Sequence, residues 1–140
     1  MTTIRAALRA IQFEFSPRAI EATRQLYLEA ALRPDMAGAS VSRDAAYGPD
    51  PRHRLDIFHA PRPHPVPVVV FVHGGGYVGG DKGAPDAPFY NNVGAWAVRA
   101  GFVGVTMTYR LAPAAVWPAG AGDVVAALAW VQQNIATFGG

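Results

Sequence analysis

The segment Val66-Pro67-Val68-Val69-Val70-Phe71-Val72 constrains the fold more than any other stretch of the chain. β-Branched side chains favour extended backbone, and a run that does not alternate with polar residues must bury both faces. It reads as a central parallel strand, with hydrogen-bonding neighbours on each edge and helices above and below. The run stops at His73-Gly74-Gly75-Gly76-Tyr77-Val78-Gly79-Gly80-Asp81-Lys82, a glycine-rich loop set directly on the strand's carboxyl end.

The surrounding pattern places this strand in an α/β layer. Ser16-Pro17 is a helix start and Pro34 a stop, which predicts a helix over 17–32. Arg54-Leu55-Asp56-Ile57-Phe58-His59 alternates charged and apolar residues, as an outer strand wet on one face does. After the glycine loop, Asp86 can cap a helix with Pro88 in its first turn and Phe89, Val93, Trp96, Ala97 and Ala100 on one face, and Gly101 ends it. A strand from Phe102 to Tyr109 follows. A last helix begins near Pro118 and presents Val124, Val125, Leu128, Val131, Ile135 and Phe138 on one side. The order strand, strand, helix, strand, helix predicts a mostly parallel sheet with flanking helices. The next strand of that alternation is missing, so one sheet edge is expected to stand open. Trp96, Trp117 and Trp130 read as packing residues.

Composition narrows the function. The 140 residues include no cysteine, which excludes a disulfide scaffold and cysteine-ligated zinc. The net charge is only +2, and the eleven arginines are scattered among acidic residues rather than gathered in a phosphate-tracking stripe, so nucleic acid is excluded as a partner. No apolar run approaches the roughly 20 residues of a membrane span. Met1 to Phe15 has Ile4, Leu8 and Ile11 at helical spacing beside Arg5 and Arg9; a short packing helix is favoured over a transit peptide, and the cytoplasm is the default location. His53, His59 and His64 show no metal-ligand spacing and read as surface or structural residues. No metal or other cofactor is expected.

Two chemistries compete for the glycine loop. Gly74, Gly76 and Gly79 satisfy G-x-G-x-x-G, but a dinucleotide site needs the glycines to run straight into a helix, and Gly83 and Pro85 delay it here. The position about twenty residues beyond Gly79, where an acid should hold a ribose, is Arg99. The alternative is an oxyanion hole, in which glycines bring backbone N–H groups close to a carbonyl oxygen that gains negative charge.

Other segments join the loop in one resemblance. Tyr109-Arg110-Leu111-Ala112-Pro113, Trp117-Pro118-Ala119-Gly120-Ala121-Gly122-Asp123, the stretch from Trp130 to Gly140, and Asp50-Pro51 through Phe58 are similar, in order and spacing, to the N-terminal part of α/β-hydrolase-fold carboxylesterases of the hormone-sensitive-lipase type. The resemblance covers residues 44–140, taken as a partial α/β-hydrolase domain; residues 1–43 are read as an N-terminal helical segment. It implies that the backbone N–H groups of Gly75 and Gly76 are oxyanion donors, that His73 and Gly74 position the loop, and that the general base comes from beyond residue 140. Tyr77 is either a lining residue of the acyl pocket or an ordinary buried aromatic. Asp81 is read as fixing the loop, and Asp123 as serving the first turns of its helix.

The pattern departs from that family at its centre. The nucleophile should be the serine of a G-x-S-x-G elbow, followed by an acid and a histidine. The only serines are Ser16, Ser40 and Ser42, all ahead of the loop, and none stands in such an elbow. The resemblance therefore implies a carboxylic-ester hydrolase cut before its nucleophile strand, its substrate a small ester, and a chain inert by itself. Two alternatives stay open: a fragment of a kynurenine-formamidase-like amide hydrolase, and a non-catalytic module that binds an acyl ligand or completes its sheet with a complementing C-terminal chain or a second copy.

Overall fold

A computed structural model describes residues 4–11, 15–30, 38–84 and 87–140. The chain divides into two compact units, residues 1–33 and 34–140. The first holds α1 (Ile4–Ile11) and α2 (Pro17–Ala30), which pack on each other. Ser16 accepts a hydrogen bond from the Ala19 N–H at 3.2 Å, the N-cap geometry its position ahead of Pro17 predicts.

The second unit is built on a four-stranded sheet of β1 (Ser40–Ala46), β2 (Arg54–His59), β3 (Val68–Val72) and β4 (Val103–Met107), in the spatial order β1-β2-β4-β3. Helices α3 (Pro88–Arg99) and α4 (Ala119–Asn134) flank it, and a 3-10 turn, Ile135–Phe138, follows α4. The sheet is mixed where a mostly parallel one is expected: β3 runs parallel to β4, while β1–β2 and β2–β4 are antiparallel. β1 has no hydrophobic alternation to announce it. It is bent by a bulge between Ser42 and Ala45, where Asp44 takes a φ of 56°. Residues 40–43 therefore belong to the sheet rather than to the N-terminal helical segment, and β1 makes Val68–Val72 the third strand.

Two further expectations change places. β4, not β3, is the buried centre: all five of its residues are buried, whereas Val68 to Phe71 are half-buried and Val72 exposed, because β3 is an edge of the described sheet. β2 is internal rather than wet, and Asp56 on it is 1% exposed, kept inside by ion pairs.

The alternation of strand side chains assigns each helix a face. Leu55, Ile57, Val103, Val105 and Met107 form one core with Ala127, Val131 and Ile135 of α4. The opposite face meets α3, where a Cβ on Gly94 would fall 2.3 Å from the Phe58 ring and one on Gly104 3.0 Å from Ala97. Such close approach buries the small side of α3, namely Asn91, Gly94, Ala95, Ala97 and Val98, and turns Trp96 outward. In α4 the buried side is Gly120, Asp123, Ala127 and Val131, so Val125 and Leu128 are exposed, as is Trp117 ahead of the helix. Asp86 and residues 31–32 of the expected helices lie outside the described residues.

Candidate active site

The carboxyl end of β3 delivers His73 into a buried position, 3% exposed, with its ring stacked on Tyr109 at 4.4 Å between centroids. The Tyr109 hydroxyl donates to the His73 carbonyl at 2.9 Å; burial and the neighbouring Tyr77 push that phenol up, so it stays protonated. His73 Nδ1 lies 2.7 Å from the Gly74 carbonyl oxygen, and its Nε2 is 3.4 Å from an Arg52 Nη2. Burial lowers the His73 pKa and the Arg52 charge lowers it further, against the opposing pull of the Gly74 carbonyl and Asp81. The ring is therefore neutral at neutral pH.

From there the backbone turns left-handed, with φ of 125° at Gly75, 61° at Gly76 and 63° at Tyr77. Glycine is obligatory at 75, since a Cβ would lie 2.1 Å from the Gly79 carbonyl oxygen. The Gly75 carbonyl closes the turn by accepting from the N–H groups of Val78, at 3.1 Å, and Gly79, at 3.2 Å. The N–H groups of Gly75 and Gly76 donate to no acceptor among the described residues.

A hollow of about 200 Å³ opens beside this turn. Val72, His73, Gly74, Gly76, Tyr77 and Tyr109 line one side; Gly120, Ala121 and Val124 from the start of α4 line the other. Gly75 is not part of the lining. Tyr77 lines the hollow and is 56% exposed, so it is not a buried aromatic. The first turn of α4 brings the positive end of a helix to the hollow, which favours negative charge there.

Three charged clusters, two of them missed by the sequence reading, hold this geometry. Arg52 donates to the Tyr109 carbonyl at 2.6 Å and to the Gly80 carbonyl at 2.9 Å, with Asp81 3.8 Å away. Asp81 does brace the loop, accepting from the Gly83 N–H at 3.3 Å. Lys82 is buried and reaches Asp44 at 2.8 Å and Asp56 at 2.9 Å. It is the single lysine of the chain, placed where the glycine run ends, and that singularity was the available signal. Asp123 does not serve its own helix. It accepts from the Arg110 backbone N–H at 2.9 Å and from the guanidinium at 2.7 Å, and His53 Nε2 lies 3.1 Å away. His53 is thus buried, one of the two outcomes its position allowed. Burial pushes the Asp123 carboxyl up, but Arg110 and His53 together hold it below the ordinary carboxylate range.

The described residues bring no nucleophile to the hollow. Ser16 caps α2, and Ser40 and Ser42 sit on β1, separated from β3 by β2 and β4. No three His, Asp or Glu among the described residues gather to hold a metal, and no described helix is long and apolar enough to cross a membrane.

The BD-FAE family profile matches residues 55–140, from β2 through α4 and the turn beyond it. The chain belongs to the BD-FAE family of α/β-hydrolase esterases. This BD-FAE chain is 34% identical over 100 residues to esterase LipC of Mycobacterium tuberculosis, a match covering 70% of the chain and 24% of LipC. It is 47% identical over 77 residues to carboxylesterase NlhH of the same species, covering 54% of the chain and 22% of NlhH. In three dimensions it is similar to esterase LipW of Mycobacterium marinum, with a TM-score of 0.61 and 30% identity over 94% of the chain and 43% of LipW. The chain thus spans about a quarter of the length of these curated relatives.

Proposed function

We propose that the turn at residues 73–77 is the oxyanion hole of a serine carboxylic-ester hydrolase, and that the chain by itself does not turn esters over. The observation that carries this reading is the pair of unpaired N–H groups on Gly75 and Gly76, held in a left-handed turn of which Gly74, Gly76 and Tyr77 line the hollow. Attack on an ester carbonyl transfers negative charge to its oxygen. Donors already in place stabilise that charge without reorganising, and each is worth about 2.7–4 kcal/mol of the barrier. His73 and Gly74 position the donors, and Tyr77 contacts the acyl group of a small ester. The positive end of α4 adds to the field at the same oxygen.

The nucleophile, acid and base come from sequence outside this chain. Their loss costs on the order of a million-fold, so the hole alone leaves negligible turnover. The test joins the two halves. Residues 40–140, from β1 onward and including Arg52, replace the matching segment of LipW, and nitrophenyl-ester hydrolysis is measured for the chimera and for the chain alone. Turnover by the chimera, abolished by a serine-directed phosphonate, together with none by the chain, is the expected result. A chimera that is folded by circular dichroism yet inactive overturns the oxyanion assignment. Phosphonate-sensitive turnover by the chain alone overturns its inertness.

A further inference from the structure

We propose that Arg52 is a positioning residue for this loop: it dictates which nitrogen of His73 carries the proton, and through His73 it sets the orientation of the Gly74–Gly75 peptide. The inference rests on the oxyanion reading above and deepens it.

Arg52 lies in the turn ahead of β2, yet its guanidinium engages three separate segments. Nε donates to the carbonyl of Tyr109 beyond the end of β4, Nη2 donates to the carbonyl of Gly80 at the far end of the glycine loop, and the same Nη2 faces His73 Nε2. A guanidinium has donors and no acceptor, and it does not deprotonate in a protein. His73 Nε2 must therefore accept. The ring proton is left on Nδ1, which donates to the Gly74 carbonyl oxygen at 2.7 Å.

The alternatives fail on geometry. With the proton on Nε2, two donors face each other across the Arg52 contact, and two lone pairs face each other at Nδ1 and the Gly74 oxygen. A doubly protonated ring sets a second cation against the guanidinium. The ring cannot swing away, because Tyr109 stacks on its face and a Cβ on Gly80 would already fall 2.4 Å from Nδ1 and 2.3 Å from the Gly74 oxygen. One protonation state fits the cavity.

That state acts on the loop through the peptide plane. A trans peptide holds the carbonyl of one residue antiparallel to the N–H of the next. Gripping the Gly74 oxygen therefore fixes the direction of the Gly75 N–H, a proposed donor that has no acceptor of its own among the described residues. The charged groups around the ring are Arg52 and Asp81, with Tyr109 stacked on its face. Lysine cannot replace the fork, since a point charge on a flexible stem cannot hold the Tyr109 and Gly80 carbonyls while facing His73.

Long-range proton–nitrogen NMR of the imidazoles in the 140-residue chain, between pH 5 and 8, reads this directly, with His73→Gln assigning the signals. The expected spectrum shows neutral His73 protonated on Nδ1 and unprotonated on Nε2. Arg52→Gln should mix the tautomers and raise the titration midpoint of His73; Arg52→Lys, which keeps the charge, should weaken the tautomer bias while the midpoint stays low. In the LipW chimera, Arg52→Lys should lower kcat by roughly 10- to 100-fold, the scale of a misplacement of up to about 1 Å, with KM little changed. A wild-type proton on Nε2 overturns the proposal, as does an Arg52→Gln spectrum with neither tautomer nor midpoint moved, or a chimera kcat indifferent to Arg52→Lys. An inactive chimera whose His73 tautomer still responds to Arg52 counts against the oxyanion reading and supports the Arg52–His73 coupling.

Discussion

Replacing Lys82 by methionine removes one of the two cations that keep Asp56 inside the sheet, at nearly constant side-chain length. Asp56 is 1% exposed, and its carboxylate accepts from Lys82 at 2.9 Å, from Arg43 at 2.7 Å and from the Asp44 backbone N–H at 2.9 Å. Breaking a buried ion pair by deleting one partner costs about 3–5 kcal/mol, most of it the uncompensated charge left behind. Arg43 stays, so the loss belongs at the low end, ~3 kcal/mol. Asp44 is the contrasting partner. It lies 2.8 Å from Lys82 but its side chain is 67% exposed, and Asn tolerates the positive φ found there, so Asp44→Asn should cost under about 1 kcal/mol. Urea unfolding followed by circular dichroism at pH 7 separates the two. With a slope of roughly 1–3 kcal/mol per molar, Lys82→Met should lower the midpoint by more than about 1 M and Asp44→Asn by a fraction of that. The pH dependence carries the same sign. Burial pushes the Lys82 ammonium down, but the hydrogen bonds and charges of Asp44 and Asp56 outweigh it and leave its pKa above 10.5. Its contribution is therefore complete below pH 10.5, is lost only as pH rises through the folded value, and should be flat between pH 7 and 9. Equal midpoint shifts for the two variants, or a Lys82→Met shift within error of zero, would refute the assignment of the stabilisation to the buried Asp56 contact.

Two other substitutions probe the backbone that shapes the site. Gly75→Ala places a methyl 2.1 Å from the Gly79 carbonyl oxygen at a φ of 125°, so the turn must open; a loss of roughly 1–3 kcal/mol in thermal unfolding, with displaced amide signals confined to residues 73–80, is the expected result. Gly94→Ala drives a methyl into the Phe58 ring, 2.3 Å away, and lifts α3 from β2 and β4; urea unfolding should show a loss of about 1–3 kcal/mol, and an unchanged midpoint would mean the helix does not pack that closely.

The site was legible wherever local chemistry decides and opaque wherever tertiary pairing does. A β-branched run ending in His73-Gly74-Gly75-Gly76 announces a strand that delivers a turn, because glycine is the residue that takes positive φ without cost and close approach without a clash. The helix after it, the buried strand 103–107 and the helix from Pro118 are equally local. β1 is different: Ser40-Val41-Ser42-Arg43-Asp44-Ala45-Ala46 has neither apolar alternation nor β-branched density, and it becomes a strand only because β2 offers it an edge. The wet face assigned to β2 failed for a related reason. Asp56 looks solvated in sequence, and it is buried only because Arg43 and Lys82, thirteen residues before it and twenty-six after, converge on it in space. The buried faces of α3 and α4 follow the same logic, since Gly94 and Gly120 let backbone approach within a methyl's width of Phe58 and Tyr77, and closeness outweighs the larger hydrophobes on the opposite sides. Arg52 belongs with these long-range features. Nothing in Asp50-Pro51-Arg52-His53 marks it as part of the loop. Its assignment follows from three carbonyl or imidazole acceptors that meet around one guanidinium, which makes the tautomer of His73 the measurement on which the account of this site most directly depends.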